Sequence, residues 1–384
     1  MRICLSAGAY PTLEQPFAVF ISLLAEEFAK LGHQVIVIAP QSITKILIRR
    51  QGKVLPYYME YFIGDSTIRV FRPKTLTFGD KGLLGGITMK MNQWAVCRCF
   101  RNIKEKFDVI YAHFWTSGYN IMPCAIKYEL PLFVASGEDR IFFTKLICRK
   151  ELLQLKRVVK GVICVSTKNQ KECVALNLVE ENVCIMLPNA VDLNKFYRIE
   201  KVIARGKLGY DMSDFIVAFV GRFVHRKGAK RVSDAIAKLS DDSIKSIFIG
   251  STMPDETNDE EPNCSGILFK GKLKHSDIPL YLSSADVFVL PSLAEGCSNS
   301  IVEALACGLP IISSDMEFNY DILNTSNALL INPLDIEEIA KSIKYLKDNK
   351  SLCEQMSLSA TKTAQTLNYS DRILKIVEFI NNKR

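Results

Sequence analysis

Four side chains in the second half of this chain have the types and spacing to line a site for an anionic ligand. Glu295 and Glu303 stand eight residues apart around the turn Gly296-Cys297-Ser298-Asn299, and Arg222 and Lys227 bracket the segment Phe223-Val224-His225-Arg226. A guanidinium forks onto two phosphate oxygens, while an ammonium acts as a movable point charge, so two such cations plus a helix N-terminus can hold a diphosphate without a metal. Each group also has a plain reading. Arg222 and Lys227 can be surface cations at a loop, and the glutamates can belong to a surface loop followed by a capped amphipathic helix.

The elements around these residues favour a ligand site. Asp286-Val287-Phe288-Val289-Leu290 reads as a buried parallel strand, and Ser300 to Cys307 has helical spacing. Strand, polar turn and helix together aim backbone N–H groups and the positive end of a helix dipole at an anion. Gly221 ends the strand Phe215–Gly221 and Gly228 opens the helix Gly228–Leu239, which places Arg222 and Lys227 at a strand's carboxyl edge as well. The strands Ser246–Gly250, Gly266–Lys270 and Leu309–Ser313 and the helices Asp277–Ser284, Asp335–Asp348, Ser351–Leu367 and Ser370–Asn381 complete this half, with Asp255–Glu261 as an exposed acidic loop. Before a polar linker, Asn194 to Asp214, the same alternation appears in the strands Ile3–Ser6, Gln34–Ala39, Val109–Ala112, Leu132–Ala135, Val162–Val165 and Val183–Leu187, with a helix over Phe17–Leu31 ended by Gly32. Residues 41–66 and 73–86 are less regular, and the glycines of 79–86 mark a flexible loop. The expectation is α/β: two Rossmann-like, doubly wound parallel-sheet domains facing a central cleft, over 1–193 and 194–368, with 369–384 a C-terminal helix able to pack back on the first domain.

Composition sets the outer bounds. With 384 residues, 48% of them apolar, the chain can bury two cores. No apolar run approaches the roughly 20 residues of a spanning helix, and no signal peptide is evident, so a cytoplasmic protein is expected, soluble or attached at the inner face of the membrane. The 12 cysteines are scattered without a Cys-x-x-Cys pair and read as reduced core thiols. The net charge of +8 is uneven: residues 1–192 hold 25 basic against 16 acidic side chains, and the remainder 24 against 25. The first half therefore suits an anionic partner, a membrane surface or a phosphate-bearing acceptor. The absence of Gly-x-Gly-x-x-Gly after the first strand argues against a dehydrogenase.

Gly221-Arg222, Lys227-Gly228, the strand Ala285 to Ser292, Glu295-Gly296, Asn299, Glu303-Ala304 and Cys307-Gly308-Leu309-Pro310 resemble the retaining family-4 glycosyltransferases (glycosyl transferases group 1) of the GT-B fold. Leu187-Pro188-Asn189-Ala190-Val191-Asp192 is similar to the family's interdomain segment, with Ala190 where glycine is usual. The resemblance implies transfer of a sugar from a nucleotide diphosphate sugar, as co-substrate, to a glycan or lipid-linked acceptor, with no metal or other cofactor, in cell-surface polysaccharide or glycolipid biosynthesis. It implies that Arg222 and Lys227 bind the diphosphate and stabilise the leaving nucleotide, that Glu303 accepts the ribose hydroxyls, that Glu295 holds the transferred sugar, and that Ser298 and Asn299 offer backbone N–H groups to phosphate. These roles suit the chemistry, because breaking a glycosyl–phosphate bond builds negative charge on the diphosphate and positive charge on the sugar.

The first half departs from the family pattern. In Ala135-Ser136-Gly137-Glu138-Asp139, Ser136 stands where many relatives carry histidine. Candidate acceptor or sugar contacts there are His113, Ser136, Glu138 and Asp139, although a helix cap suits Glu138 or Asp139 equally and a packed histidine suits His113. The loop Tyr10 to Phe17, with two prolines, replaces a glycine-rich turn, and Ser314-Asp315 follow Ser313 where two glycines are common. Between residues 140 and 160, seven basic residues and one acidic interleave with apolar ones, the composition of an interfacial helix for an anionic membrane, or of a helix packed on its own sheet. Ile43–Lys53 is a weaker second candidate. Nucleic acid is not expected, since the basic stretches lack aromatic interleaving. The alternative to an active transferase is a catalytically silent nucleotide-sugar-binding or scaffolding subunit. A nucleotide-sugar epimerase fits less well, lacking the acid/base set.

Overall fold

The computed structural model describes residues 1–12, 18–48, 52–252 and 258–384. Most of the Tyr10–Phe17 turn, part of the basic Ile43–Lys53 stretch and the start of the acidic Asp255–Glu261 loop therefore lie outside the described residues. The chain divides into two compact units, Met1–Leu187 with Arg372–Arg384, and Pro188–Asp371.

The first unit is built on one eight-stranded sheet. In chain order its elements are β1 (Arg2–Ser6), α1 (Val19–Lys30), β2 (Gln34–Ile38), β3 (Gln41–Ser42), α2 (Ile43–Leu47), β4 (Tyr58–Ile63), β5 (Ser66–Phe71), β6 (Lys74–Thr75), α3 (Gly82–Asn102), β7 (Val109–His113), α4 (Trp115–Lys127), β8 (Leu132–Ser136), α5 (Arg149–Val158), β9 (Val159–Cys164), α6 (Thr167–Ala175) and β10 (Cys184–Met186). The sheet order is β10-β9-β8-β7-β1-β2-β5-β4, parallel except for the β4–β5 hairpin, while β3 and β6 pair separately. Continuous apolar runs such as Val109 to Ala112 form its centre because helices cover both faces of a parallel sheet. One face packs around Trp115, Tyr119 and Val134. The other packs around Phe28, Tyr111 and Phe133, and includes Ile373, Ile376 and Ile380 of the C-terminal helix.

Three expectations for this half change. Gly82, Gly85 and Gly86 do not form a flexible loop but open the 21-residue α3. A Cβ at Gly85 would lie 2.9 Å from the Asp80 carbonyl carbon and 3.1 Å from Leu146, so that glycine permits a close approach. Within 41–66, the irregular pattern conceals the hairpin β4–β5, whose edge strand is exposed on alternate residues and so lacks a continuous apolar run. The basic stretch 140–160 is not one amphipathic helix. α5 spans ten residues, and from Val159 the chain is a strand in the sheet. Leu155 is buried and Leu146, Ile147 and Leu152 pack against the first core, so this apolar side is largely occupied by the protein itself.

The second unit comprises α7 (Lys201–Leu208), β11 (Phe215–Val220), α8 (Ala229–Leu239), β12 (Ile244–Ile249), β13 (Ile267–Gly271), α9 (Ile278–Ser284), β14 (Val287–Leu290), α10 (Asn299–Ala306), β15 (Ile311–Ser314), β16 (Ala328–Ile331), α11 (Ile336–Asp348) and α12 (Lys350–Gln365); α13 (Tyr369–Lys383) begins here and continues into the first unit. Its all-parallel sheet has the order β13-β12-β11-β14-β15-β16. Strand succession runs outward from β11 in one direction and from β14 in the other, so the topological switch lies between those two strands, where ligands of doubly wound sheets bind. The linker expected over 194–214 holds α7. One of its charged residues, Arg205, is buried, 1% exposed, with its guanidinium paired with Asp286 and the carbonyls of Ser284, Asp211, Met212 and Asp214. β16, four residues without a distinctive pattern, adds an edge strand that the sequence alone did not announce.

Candidate functional site

The turns that leave β11 and β14 at the switch point are residues 221–228 and 291–298, and they carry Arg222, Lys227, Glu295 and Ser298. Gly228 sits in the left-handed region at φ 80°, where a Cβ would meet Arg231 at 2.5 Å and Pro291 at 2.9 Å, so glycine is required for the two turns to touch. Gly250, ending β12, has a similar role. A Cβ there would lie 1.8 Å from the Gly221 carbonyl oxygen.

Hydrogen bonds join the two turns into one piece. Arg231, 7% exposed, donates from Nη1 to the His225 carbonyl and from Nη2 to the Pro291 carbonyl, both at 2.8 Å. The Leu293 N–H donates to the Arg226 carbonyl at 2.8 Å, and the Arg226 guanidinium donates to the Ala294 carbonyl. Lys227 forms an ion pair with Glu295, and Arg226 lies 3.5 Å from that carboxylate's other oxygen. Glu295 is 8% exposed, so its charge is met by two cations rather than by water. Arg222 is exposed, and among the described residues its side chain has no hydrogen-bond or ion-pair partner.

Ser298 caps α10 in extended backbone without a side-chain bond to the helix's backbone N–H groups, and its Oγ lies 3.0 Å from Ser300 Oγ. The N–H groups that open α10, beginning at Asn299, point along the helix axis without intrahelical acceptors, a ready anion cradle. Glu303 stands one turn further on the face of Asn299. Its carboxylate accepts from His275 Nε2 at 2.9 Å, and the His275 ring lies 4.9 Å from that of Phe196. From the loop after β15, Asn319 donates to Ser313 Oγ and the Ser314 carbonyl, while Ser314 Oγ donates to the Ser292 carbonyl at 2.5 Å. The arrangement offers an unpaired cation, a second cation on a carboxylate, an anion-seeking helix terminus and a carboxylate–imidazole pair.

This geometry coincides with a family match. Residues 200–363 match the model of the glycosyl transferases group 1. The second unit carries the group 1 glycosyl transferase match. TuaC, a glycosyltransferase of Bacillus subtilis (strain 168) named for teichuronic acid biosynthesis, is 28% identical over 356 residues, covering 89% of this chain and 88% of that protein. The Escherichia coli UDP-Gal:alpha-D-GlcNAc-diphosphoundecaprenol alpha-1,3-galactosyltransferase is 26% identical over 300 residues, 73% of this chain and 78% of that one. In fold, this glycosyltransferase resembles sucrose-phosphate synthase of Thermosynechococcus elongatus, with a TM-score of 0.79 at 18% identity over 100% and 99% of the two chains. Anabaena HepE in complex with UDP-glucose matches with a TM-score of 0.71 at 16% identity over 100% of both. The fold is GT-B.

The remaining candidates of the glycosyltransferase lie in its first unit, at the carboxyl ends of β7 and β8. α4 begins after Phe114, whose φ of 73° and apolar side chain leave the helix without a local cap. Glu138 supplies the missing acceptor from the next turn, taking the Trp115 N–H at 2.7 Å, the Gly137 N–H at 3.0 Å and the Ser136 hydroxyl at 3.2 Å. Ser136 in turn accepts from Trp115 Nε1 at 3.1 Å. Burial raises the Glu138 carboxyl to about 7 despite these donors. His113 packs between Phe20 and Phe114, at 5.0 and 4.5 Å between ring centroids, and burial, with Arg372 nearby, lowers its pKa to about 3. Asp139 is exposed and its carbonyl accepts from Lys168. Three residues of the second-unit site had no assigned part in the sequence reading. Arg226 and Arg231 look like ordinary surface cations until the neighbouring turn is placed. His275 meets Glu303 only through the fold. Among the described residues, no group of three or more His, Cys, Asp or Glu could hold a metal ion, no helix is long and apolar enough to cross a membrane, and all twelve cysteines are free.

Proposed function

We propose that this glycosyltransferase moves a sugar from a nucleotide diphosphate sugar to a glycan or lipid-linked acceptor with retention of the anomeric configuration and without a metal. The observation that carries the proposal is the joined pair of turns at the β11–β14 switch, with Arg222 unpaired and Lys227 on Glu295. In the donor complex, Arg222 and the α10 terminus take the diphosphate, and Lys227 shares its charge between Glu295 and the departing phosphate. Negative charge building on the diphosphate meets cations fixed in advance, and positive charge building at the sugar meets Glu295. Glu303, oriented by His275, receives the ribose hydroxyls. Ser298 and Asn299 present their N–H groups to phosphate. The UDP-Gal and diphosphoundecaprenol in the E. coli relative's name and the UDP-glucose of the HepE complex support a UDP-sugar donor and a lipid-linked acceptor.

Calorimetric titration of UDP and measurement of donor turnover test this reading. Arg222→Ala and Glu303→Ala are expected to weaken UDP binding by about tenfold or more each, and Lys227→Ala to lower turnover further than binding. Wild-type UDP affinity and turnover in all three variants would refute the site. UDP binding by the wild type with no turnover across a donor and acceptor panel would instead identify the silent, nucleotide-sugar-binding subunit.

We further infer a cytoplasmic enzyme held at the inner face of the membrane through the 140–160 region. Phe142 and Leu153 are exposed among Lys145, Arg149, Lys150 and Arg157, and Leu83, Leu84 and Ile87 are exposed on α3, whose Gly85 packs against Leu146. Sedimentation with liposomes should rise with the fraction of anionic lipid, and sedimentation indifferent to that fraction would refute the inference.

A further inference from the structure

At the carboxyl ends of β1, β2 and β5, a cavity of about 250 Å³ opens in the first unit, lined by Tyr10, Pro40, Gln41, Lys45, Lys53 and Arg72 among others. Arg72 is the unusual member. It is 1% exposed, and among the described residues no carboxylate pairs with it. Nη2 donates to the Tyr61 hydroxyl at 3.0 Å, but Nε and Nη1 are buried with no acceptor among the described residues. The guanidinium carbon lies 5.9 Å from the centroid of the Tyr10 ring, which offers a face but no negative charge. Arg205 of the second unit shows what a satisfied buried arginine looks like, with an aspartate and four carbonyls around it. Buried charges that lack such partners are costly, and an orphaned buried donor calls for an explanation, an incoming anion being one that suits a cation.

The surroundings hold the side chain in place without neutralising it. Gln41 donates to the carbonyls of Arg72 and Leu55 and accepts from the Leu55 N–H, fixing the cavity wall. Lys45, exposed on α2, has no side-chain partner among the described residues, so a second cation is available at the rim. A cavity of this size holds several times the roughly 30 Å³ share of one water, enough for a tetrahedral anion with its ester carbon.

The geometry points to a phosphate site: the Arg72 cavity binds the phosphate or diphosphate ester group of the acceptor, the guanidinium contacting it from within and Lys45 from the rim. This rests on the glycosyltransferase reading, in which the first unit serves the acceptor, and it narrows that acceptor to one carrying a phosphate ester near the hydroxyl that is glycosylated. Arg72 and Lys45 lie outside the donor site, so the two assignments fail separately.

The test is calorimetry on the full chain with UDP present at saturation, so that the donor site is filled and its own affinity is measured in the same samples. Inorganic phosphate, inorganic pyrophosphate and a short-chain prenyl diphosphate are the probes. The expected result is binding of at least one probe, weakened about tenfold in Lys45→Ala and abolished in Arg72→Met, with UDP affinity unchanged. Prenyl diphosphate binding tenfold tighter than pyrophosphate identifies a lipid-linked source, and equal binding a soluble phosphate ester; both support the site. If Arg72→Met does not fold, Lys45→Ala decides, since its side chain is exposed. No probe binding to a wild type that binds UDP overturns the proposal, as does probe binding unaltered by Lys45→Ala. Loss of UDP binding by the wild type would instead overturn the donor assignment.

Discussion

Replacing Glu138 by glutamine separates the cost of that carboxylate's charge from the value of its hydrogen bonds. The folded carboxyl is raised from 4.5 to about 7, chiefly by burial, with the N–H groups of Trp115 and Gly137 and the Ser136 hydroxyl opposing. A raised acid binds its proton more tightly when folded. Between pH 4.5 and 7 the native state therefore holds more protons than the unfolded chain, and stability falls as pH rises. The contribution is complete below pH 4.5 and is lost as pH passes 7. Two and a half pH units at about 1.4 kcal/mol each amount to about 3.4 kcal/mol in full, of which about 2.5 kcal/mol falls between pH 5 and 8. Glutamine keeps the shape and one acceptor oxygen but cannot ionise. The difference in unfolding free energy between Glu138→Gln and wild type should shift in the variant's favour by about 2.5 kcal/mol from pH 5 to pH 8. Every other titration cancels in that difference. Urea denaturation followed by tryptophan fluorescence is the natural assay, because the only two tryptophans, Trp94 and Trp115, both lie in the first unit and Trp115 touches Glu138 directly. A difference constant within about 0.5 kcal/mol across that range would show that the donors around Glu138 offset its burial, and that it is a charged cap at all pH values.

Two further perturbations test the second-unit site. Gly250→Ala places a methyl group 1.8 Å from the Gly221 carbonyl oxygen and should destabilise the protein by about 3 kcal/mol or more, seen by circular dichroism in urea, with UDP affinity falling because the Arg222 turn is displaced. Arg231→Met leaves the His225 and Pro291 carbonyls without their donor, at a cost of about 2–4 kcal/mol. Calorimetry should show UDP binding about tenfold weaker, and unchanged affinity in a folded variant would show that the two turns hold together without it.

The second half was far more legible in the sequence than the first, for physical reasons. A parallel strand buried on both faces writes an uninterrupted apolar run, and a left-handed turn pressed against its neighbour demands glycine, so Val287–Leu290 and Gly228 announce themselves. The partners that orient the site do not. His275 and Glu303 are 28 residues apart, and Arg231 finds its acceptors on another turn, so only the folded sheet brings them together. In the first half, β4 is an edge strand with one face in water and so lacks the run that marks a core strand. α3 begins with glycines because Gly85 meets Asp80 and Leu146, a tertiary reason that local propensity reads as a loop. The cap on α4 was open in the sequence between a ligand role and a structural one for Glu138, and the fold shows a helix start at Phe114 that needs it.

The return of α13 to the first unit has a consequence for how the molecule is made. Ile373, Ile376 and Ile380 are fully buried there, and Phe379 lies edge-on to Phe133 at 5.9 Å, over a Gly161 that leaves no room for a methyl group. Each isoleucine is worth about 1.5–3 kcal/mol of burial. On the ribosome these side chains emerge only after all of β11 to α12, so the domain that starts first is the last to close its core. Until then a strip of apolar sheet around Phe133 and Tyr111 remains open. Vectorial synthesis thus favours completion of the second unit first, and makes the docking of α13 the step that commits the first unit to its native state.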